Sequence, residues 1–333
     1  MPRCSQRGDP EPAPPSLSKA STHTVNRLRW LVKLSALLPG LAGGCGARTG
    51  LGDAAIDSVY DGAVSGPAGS LNSGKAKFLQ VSAGEVHACG VKTDNTVLCW
   101  GDSELGATSA PGGTFLQVSA GALYTCGIKT DRTITCWGDN KNGQASPPGG
   151  TFSQVSTGGD VGAYFTCGLR TDGTLVCWGT PRIPADDGRF TALSAGVLAL
   201  CGLLPNGSSY CWQWGSGGIG PNTTFSQLSV GDDFICGVRT DGTLDCWGSD
   251  AFGATSPPEG RFVQVSAGWY HSCALRTDGT VACWKQDDGY GETIPPSGTF
   301  SQISSSFHYS CGVRTDATAA CWGINYYGQA SPP

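Results

Sequence analysis

A segment of the form F-x-Q-V-S recurs seven times along the chain, beginning at Phe78, Phe115, Phe152, Phe190, Phe225, Phe262 and Phe300, at spacings of 35 to 38 residues. Each copy continues with Gly, a variable stretch, a Cys, a T-D-G-T-like turn, a second Cys, a Trp and a second variable stretch. Most copies close with a Pro-rich turn. Units of this length hold several strand-sized pieces and no helical period, and an array of them buries one continuous core. The 51 Gly and 20 Pro fit many short strands joined by tight turns. The expected fold is all-β, a seven-bladed β-propeller.

The cysteines set the register of one hairpin per unit. Cys89 pairs with Cys99, Cys126 with Cys136, Cys167 with Cys177, Cys201 with Cys211, Cys236 with Cys246, Cys273 with Cys283 and Cys311 with Cys321, always ten apart. With a three-residue loop at Thr93, Asp94 and Asn95, Lys92 faces Thr96, Val91 faces Val97, Gly90 faces Leu98 and Cys89 faces Cys99. Such a loop needs its third residue in the left-handed conformation. That residue is Gly at 173, 207, 242 and 279 and Asn at 95, whereas Arg132 and Ala317 take the place at a cost of roughly 1 kcal/mol each. Counted out from the closing pair, the cysteines fall on a non-hydrogen-bonded site, where facing Cα atoms lie nearest and can be bridged. Nine intervening residues do not match the short clips of zinc sites. Seven hairpin disulfides are therefore expected, and with them an oxidising compartment. No metal and no cofactor is expected.

Segments such as VSAGWYHSCALRTDGTVACWK (265–285) and CWGDNKNGQASPP (136–148) resemble the repeat of the regulator of chromosome condensation (RCC1) family. The resemblance covers residues 78 to 333 and implies a propeller. In its short unit and its leader the chain is closer in style to secreted bacterial members, such as the β-lactamase inhibitor protein, than to the nuclear exchange factor. The last unit stops at Pro333, so the segment starting at Phe78 is expected to supply a missing strand to the last blade and close the ring.

Ahead of the repeats, Arg27, Arg29 and Lys33 precede an apolar run from Leu34 to Leu41 that ends in Ala42, Gly43, Gly44 and Cys45. A basic flank, a short apolar segment and a small-residue site describe an export signal, too short to span a bilayer. The ending resembles the lipobox of bacterial lipoproteins, in which the Cys is acylated, although Ala42 stands where Leu is usual. The alternative is an ordinary secretory leader with Cys45 a spare thiol. The expected organisation is a leader over 1–44, a flexible tether over 45–77 and the propeller over 78–333. Its expected place is the cell envelope, as a lipoprotein anchored to the outer membrane through Cys45, or otherwise outside the cell.

Beyond residue 44, fifteen Lys and Arg face twenty-four Asp and Glu, a net charge of −9. With no basic stripe to displace counterions from phosphates, nucleic acid is not an expected partner.

Strand alternation sorts the connections by face. The stretches after S-A-G and after C-W-G fall on one face, which varies between units; the T-D-G and P-P-G-T turns fall on the other, which does not. On the variable face the fourth to seventh units present Trp214, Phe252, Trp269, Tyr270, Tyr290, Phe307, His308, Tyr326 and Tyr327. Aromatics on rigidly held loops give large contact area at low entropic cost and anchor protein interfaces. Fewer are offered by the first three units, chiefly Tyr124, Tyr164 and Phe165. The bland alternative is that such rings cap the channel or pack between blades. That packing reading is the expectation for the Trp after each second Cys, and for His87, His271 and Tyr309, which share one repeat position with Tyr124, Phe165 and Phe234.

Three functions follow in order of preference. The first is a monomeric extracytoplasmic propeller that binds another protein, as an inhibitor or docking module, through its aromatic face. A carbohydrate-binding or carbohydrate-active propeller is second, with Asp232, Asp233, Asp287 and Asp288 gathered at the central mouth. Guanine-nucleotide exchange is third and follows from the family resemblance alone. No catalytic residue is assigned, because no acid and base recur as a pair.

Overall fold

The computed structural model describes residues 75–160, 162–180, 188–213, 216–250, 253–285 and 289–333. They form seven antiparallel sheets in chain order, six of three strands and one of four. The first sheet consists of Phe78–Ala83, His87–Lys92 and Val97–Gly101, and the same inner, middle and outer strands recur in every unit. In the fourth sheet, Ser216–Ile219 pairs outside Ser209–Gln213. Inner strands of successive sheets touch one another all the way round, the seventh meeting the first. The sheets are thus the blades of a seven-bladed β-propeller.

The hairpins have the register that the cysteine spacing demands. Cys89 faces Cys99, Gly90 faces Leu98 and Val91 faces Val97, and Lys92 N donates to Thr96 O. All seven expected disulfides are formed: Cys89 to Cys99, Cys126 to Cys136, Cys167 to Cys177, Cys201 to Cys211, Cys236 to Cys246, Cys273 to Cys283 and Cys311 to Cys321, with Cα atoms 4.0 to 4.1 Å apart. The two cysteines of a pair are not equally sheltered. Those on the middle strands, such as Cys126 and Cys311, are completely buried, whereas Cys99, Cys136, Cys177, Cys246, Cys283 and Cys321 on the outer strands are partly exposed; in blade four Cys211 is buried, beneath the additional fourth strand. The third loop residue is left-handed even where it is not Gly: φ is 65° at Asn95, 68° at Arg132 and 68° at Ala317. Asp94 Oδ1 accepts hydrogen bonds from Thr96 N at 2.9 Å and Thr96 Oγ1 at 2.7 Å, which ties the turn to itself. Those bonds hold the Asp94 carboxyl down to about 2.

Six inner strands open with a buried Phe, and in blade four the buried Phe190 lies two residues ahead of the strand. Phe78 packs against Trp100 with ring centroids 5.7 Å apart, and the middle-strand Gly90 makes room for it, since a Cβ there would lie 2.5 Å from the Phe78 ring. The tryptophans bind between blades: Trp137 Nε1 donates to Ala107 O, Trp178 to Gln144 O, Trp322 to Glu292 O and, across the seam, Trp100 to Gln329 O. The inter-blade role expected of them holds.

A polar girdle joins the inner strands. Gln80 Nε2 donates to Val118 O at 3.0 Å while Val118 N donates back to Gln80 Oε1 at 3.0 Å. Gln117, Gln154, Gln227 and Gln264 repeat this exchange, and Gln302 completes the circle onto Val81. Only the fourth unit, with Ala192, lacks the glutamine. Two residues on, seven serines from Ser82 to Ser304 each accept the amide of the next inner strand at 2.8 to 3.1 Å. Inner-edge amides that would otherwise need water are thereby satisfied.

The ring does not close by strand donation. Phe78–Ala83 is the inner strand of its own blade, paired with His87–Lys92, and forms no strand ladder with the last blade; the one β-bridge between them lies just ahead of the strand, Lys77 to Thr318. The reason lies in the repeat phase. The motif starts with the inner strand, so each unit is a whole blade and none is left short. Phe78 N donates to Ala317 O just as Phe115 N donates to Asn95 O and Phe152 N to Arg132 O. Lys77, where the described chain enters the ring, lies at the T-D-G turn of blade seven, its Nζ donating to Asp316 O.

Candidate functional site

The S-A-G connections and the segments after the outer strands emerge at one end of the blades, and the T-D-G turns at the other. There Thr114 Oγ1 and Thr130 Oγ1 lie 2.8 Å apart, so the Pro-rich segment rests on the hairpin turn of the next blade.

On the variable face, blades six and seven bring five of the expected residues together. Trp269 and Tyr270 come from the inner-to-middle connection of blade six, Phe307 and His308 from that of blade seven, and Tyr290 from the segment after the outer strand of blade six. Trp269 meets Phe307 nearly perpendicularly at 4.4 Å. His308 lies 5.4 Å from Tyr270 and 5.0 Å from Tyr290. Tilted and edge-on contacts of this kind are favoured by the ring quadrupoles and hold the cluster in one geometry. Tyr290 is 46% exposed, and the other four are partly buried.

Beneath the rings is an ionic group that the motif-level reading missed. Glu292 Oε1 accepts from Lys285 Nζ and from His308 Nδ1, the latter at 3.1 Å. The Lys285 and Glu292 side chains are only 2% and 1% exposed. Burial opposes the charged carboxylate, but the hydrogen bonds from His308 and Lys285 outweigh it and hold Glu292 down to about 2. An ionised carboxylate only accepts, so His308 carries its hydrogen on Nδ1. Both partners are visible as departures from the repeat. Lys285 stands where Gly101, Gly138, Gly179, Gly248 and Gly323 have φ between 97° and 112°, and Glu292 stands where Gln144 and Gln329 lie. With Lys there the last rung of the hairpin is lost: His87 pairs with Gly101 and Tyr309 with Gly323, but the sixth hairpin ends at Ser272 and Trp284.

Tyr326 and Tyr327, in the corresponding segment of blade seven, are 77% and 47% exposed. Trp214, Phe252, Asp287, Asp288 and Cys45 lie outside the described residues, as does the leader. The rings expected from the first three units are not on offer, because Tyr124, Tyr164 and Phe165 are 0%, 7% and 3% exposed. Tyr124 turns inward to donate its hydroxyl to Phe165 O at 2.5 Å. His87, His271 and Tyr309 are buried at the same level, as expected of a packing position. Of the two described aspartates expected at the mouth, Asp232 is buried and Asp233 exposed, and neither lines it.

The mouth itself is a cavity of about 160 Å³ on the axis, at the variable face, walled by serines and small residues of all seven blades with Glu85 and Trp269 at its edge. Trp269 belongs to both the cavity and the aromatic cluster. Among the described residues no three His, Cys, Asp or Glu side chains are placed to hold a metal ion.

The model of the regulator of chromosome condensation (RCC1) repeat matches residues 78–107, 115–144, 153–181, 225–254 and 262–284. No curated protein sequence matches the chain. Among solved structures it is similar to the CRINKLY WD40 ectodomain of the Arabidopsis thaliana receptor kinase ACR4, at 24% identity and a TM-score of 0.64, over 78% of this chain and 100% of that one. The ectodomain of the Physcomitrella patens receptor kinase CR4 shares 22% identity at a TM-score of 0.62, over 74% of each chain. Human WBSCR16 shares 12% identity at a TM-score of 0.58, over 70% of this chain and 85% of that one. These likenesses are of fold.

Proposed function

We propose that this propeller of RCC1 repeats is an exported binding module that engages a partner protein through the loops of blades six and seven, and works by binding rather than by catalysis. The observation that carries the reading is the contiguous cluster of Trp269, Tyr270, Phe307, His308 and Tyr290, braced from below by the Lys285–Glu292 pair. Preorganised aromatic surface loses little conformational entropy on docking and supplies the anchors around which interfaces form. Seven disulfides, each bridging an interior rung of its hairpin, stiffen the strands that carry these loops and suit an oxidising compartment. The apolar segment before Cys45 supplies the route of export in this reading.

The test is capture of partners from the native extracellular or envelope fraction, with the wild-type protein and a triple variant, Trp269→Ala with Tyr270→Ala and Tyr327→Ala, as baits. Loss of a specific partner with the variant supports the proposal. Equal capture by both would overturn it.

A further inference from the structure

We infer that the axial cavity receives one basic side chain, arginine or lysine, offered by the protein that docks on the aromatic loops. The inference rests on the protein-binding reading and names the chemistry that its partner brings to the centre of the face.

The walls carry mostly short side chains, and where adjacent blades meet glycine is kept for a steric reason. A Cβ on Gly84 would fall 2.3 Å from Gly121 O, one on Gly196 2.2 Å from Gly231 O and one on Gly268 2.2 Å from Ser306 O. Adjacent blades thus meet through backbone and leave an open well of about 160 Å³, room for a single long side chain. Its lining favours a cation. Glu85 is the one charged residue among the described lining residues, which include no Lys, Arg or His. The rim carbonyls of Gly121, Gly231 and Ser306 each accept one amide, from Glu85, Val197 and Trp269 at 3.2 Å, and a carbonyl oxygen has a second lone pair to offer. The serine hydroxyls below add further acceptors. At the edge stands the Trp269 indole, the ring best suited to stack on a guanidinium or ammonium group.

A cation leaving water needs these replacements for its hydration. An anion would meet the Glu85 carboxylate, and an apolar group would leave the acceptors unsatisfied. The net charge of −9 beyond residue 44 favours the approach of a basic partner at a distance.

Nα-acetyl-L-arginine amide is titrated into the isotopically labelled full chain, with the neutral isostere Nα-acetyl-L-citrulline amide as control, observing the amides of Gly121 and Gly231 and the Trp269 indole. The expected result is a saturable shift of these signals with arginine, at least fivefold weaker binding of citrulline, and a roughly tenfold loss of arginine affinity in Glu85→Gln, equivalent to about 1.4 kcal/mol. Glu85→Gln is expected to fold, because Val197 holds the equivalent place in blade four; Trp269→Phe, which keeps a ring, is a second variant expected to weaken arginine binding. Equal responses to arginine and citrulline, shifts confined to other residues, or no shift into the high millimolar range would overturn the inference. That failure is distinct from failure of the aromatic-face reading, which the capture assay decides.

Discussion

The phenol of Tyr309, in the last blade, donates to the main-chain carbonyl of His87, in the first, at 2.6 Å and in complete burial. Tyr124 reaches Phe165 O in the following blade in the same way. The junction between the two ends of the repeat array is therefore built from the same bond as a junction inside it. Burial pushes the Tyr309 phenol well above its ordinary value, so it remains a donor at every working pH.

Tyr309→Phe should destabilise the protein by about 1 kcal/mol, the cost of one buried hydrogen bond, since the His87 carbonyl keeps its bond from Gly84 N. Tyr124→Phe should cost a similar amount. Urea unfolding of both variants checks this. A much larger loss at Tyr309 than at Tyr124 would mean that the seam is weaker than the other junctions.

The Lys285–Glu292 pair should show strong coupling. Lys285→Gly alone leaves a carboxylate buried at 1% exposure and should cost about 3–5 kcal/mol. The double variant Lys285→Gly with Glu292→Gln restores the residue types found at these places in blades two and seven, and should recover most of that loss. A double-mutant cycle by chemical denaturation measures the coupling, and additive losses would contradict it.

Acid should weaken the fold before the carboxylates titrate. Burial lowers the His87 pKa from 6.5 to about 4. Between those values the unfolded chain binds a proton that the folded chain refuses, so stability falls as pH drops from 6.5 towards 4, by up to about 3 kcal/mol for this one group. His87→Phe places there the residue type that Phe165 and Phe234 provide in blades three and five. Its urea midpoint should vary less between pH 7 and 4 than that of the wild type, and identical slopes would refute the assignment.

Removing a single staple, as in Cys311→Ala with Cys321→Ala, should cost about 2–3 kcal/mol by the chain-entropy estimate for a loop of this length. Thermal unfolding of the double variant measures the loss. Because the bridge joins the middle rung of its hairpin, amide exchange in 309–314 and 319–323 should rise more than in the matching strands of blade two.

What can be read without coordinates is whatever one hairpin dictates and seven copies repeat. Cysteines ten apart and a left-handed third loop residue leave a single register, and even Arg132 and Ala317 obey it against their own preference. The direction of a ring is not readable in this way. Tyr124 and Tyr290 both belong to variable-face stretches, but one is held inward by the carbonyl of Phe165 and the other projects. Closure reads wrongly from the sequence because Phe78 looks like a spare strand, when the space beside Gly90 commits it to its own blade. The Lys285–Glu292 pair is legible in principle, as two departures from the repeat seven residues apart, but each alone looks like ordinary loop variation.

Lys77 joins the ring beside Asp316 and Thr318, at the turn face. An attachment made at Lys77 itself would therefore start from the turn face, opposite the aromatic loops. Coupled to a sensor chip or bead through a single reactive residue placed at position 77, the propeller would hold Trp269, Tyr290 and Tyr326 towards the solution, with its uniform turns against the support.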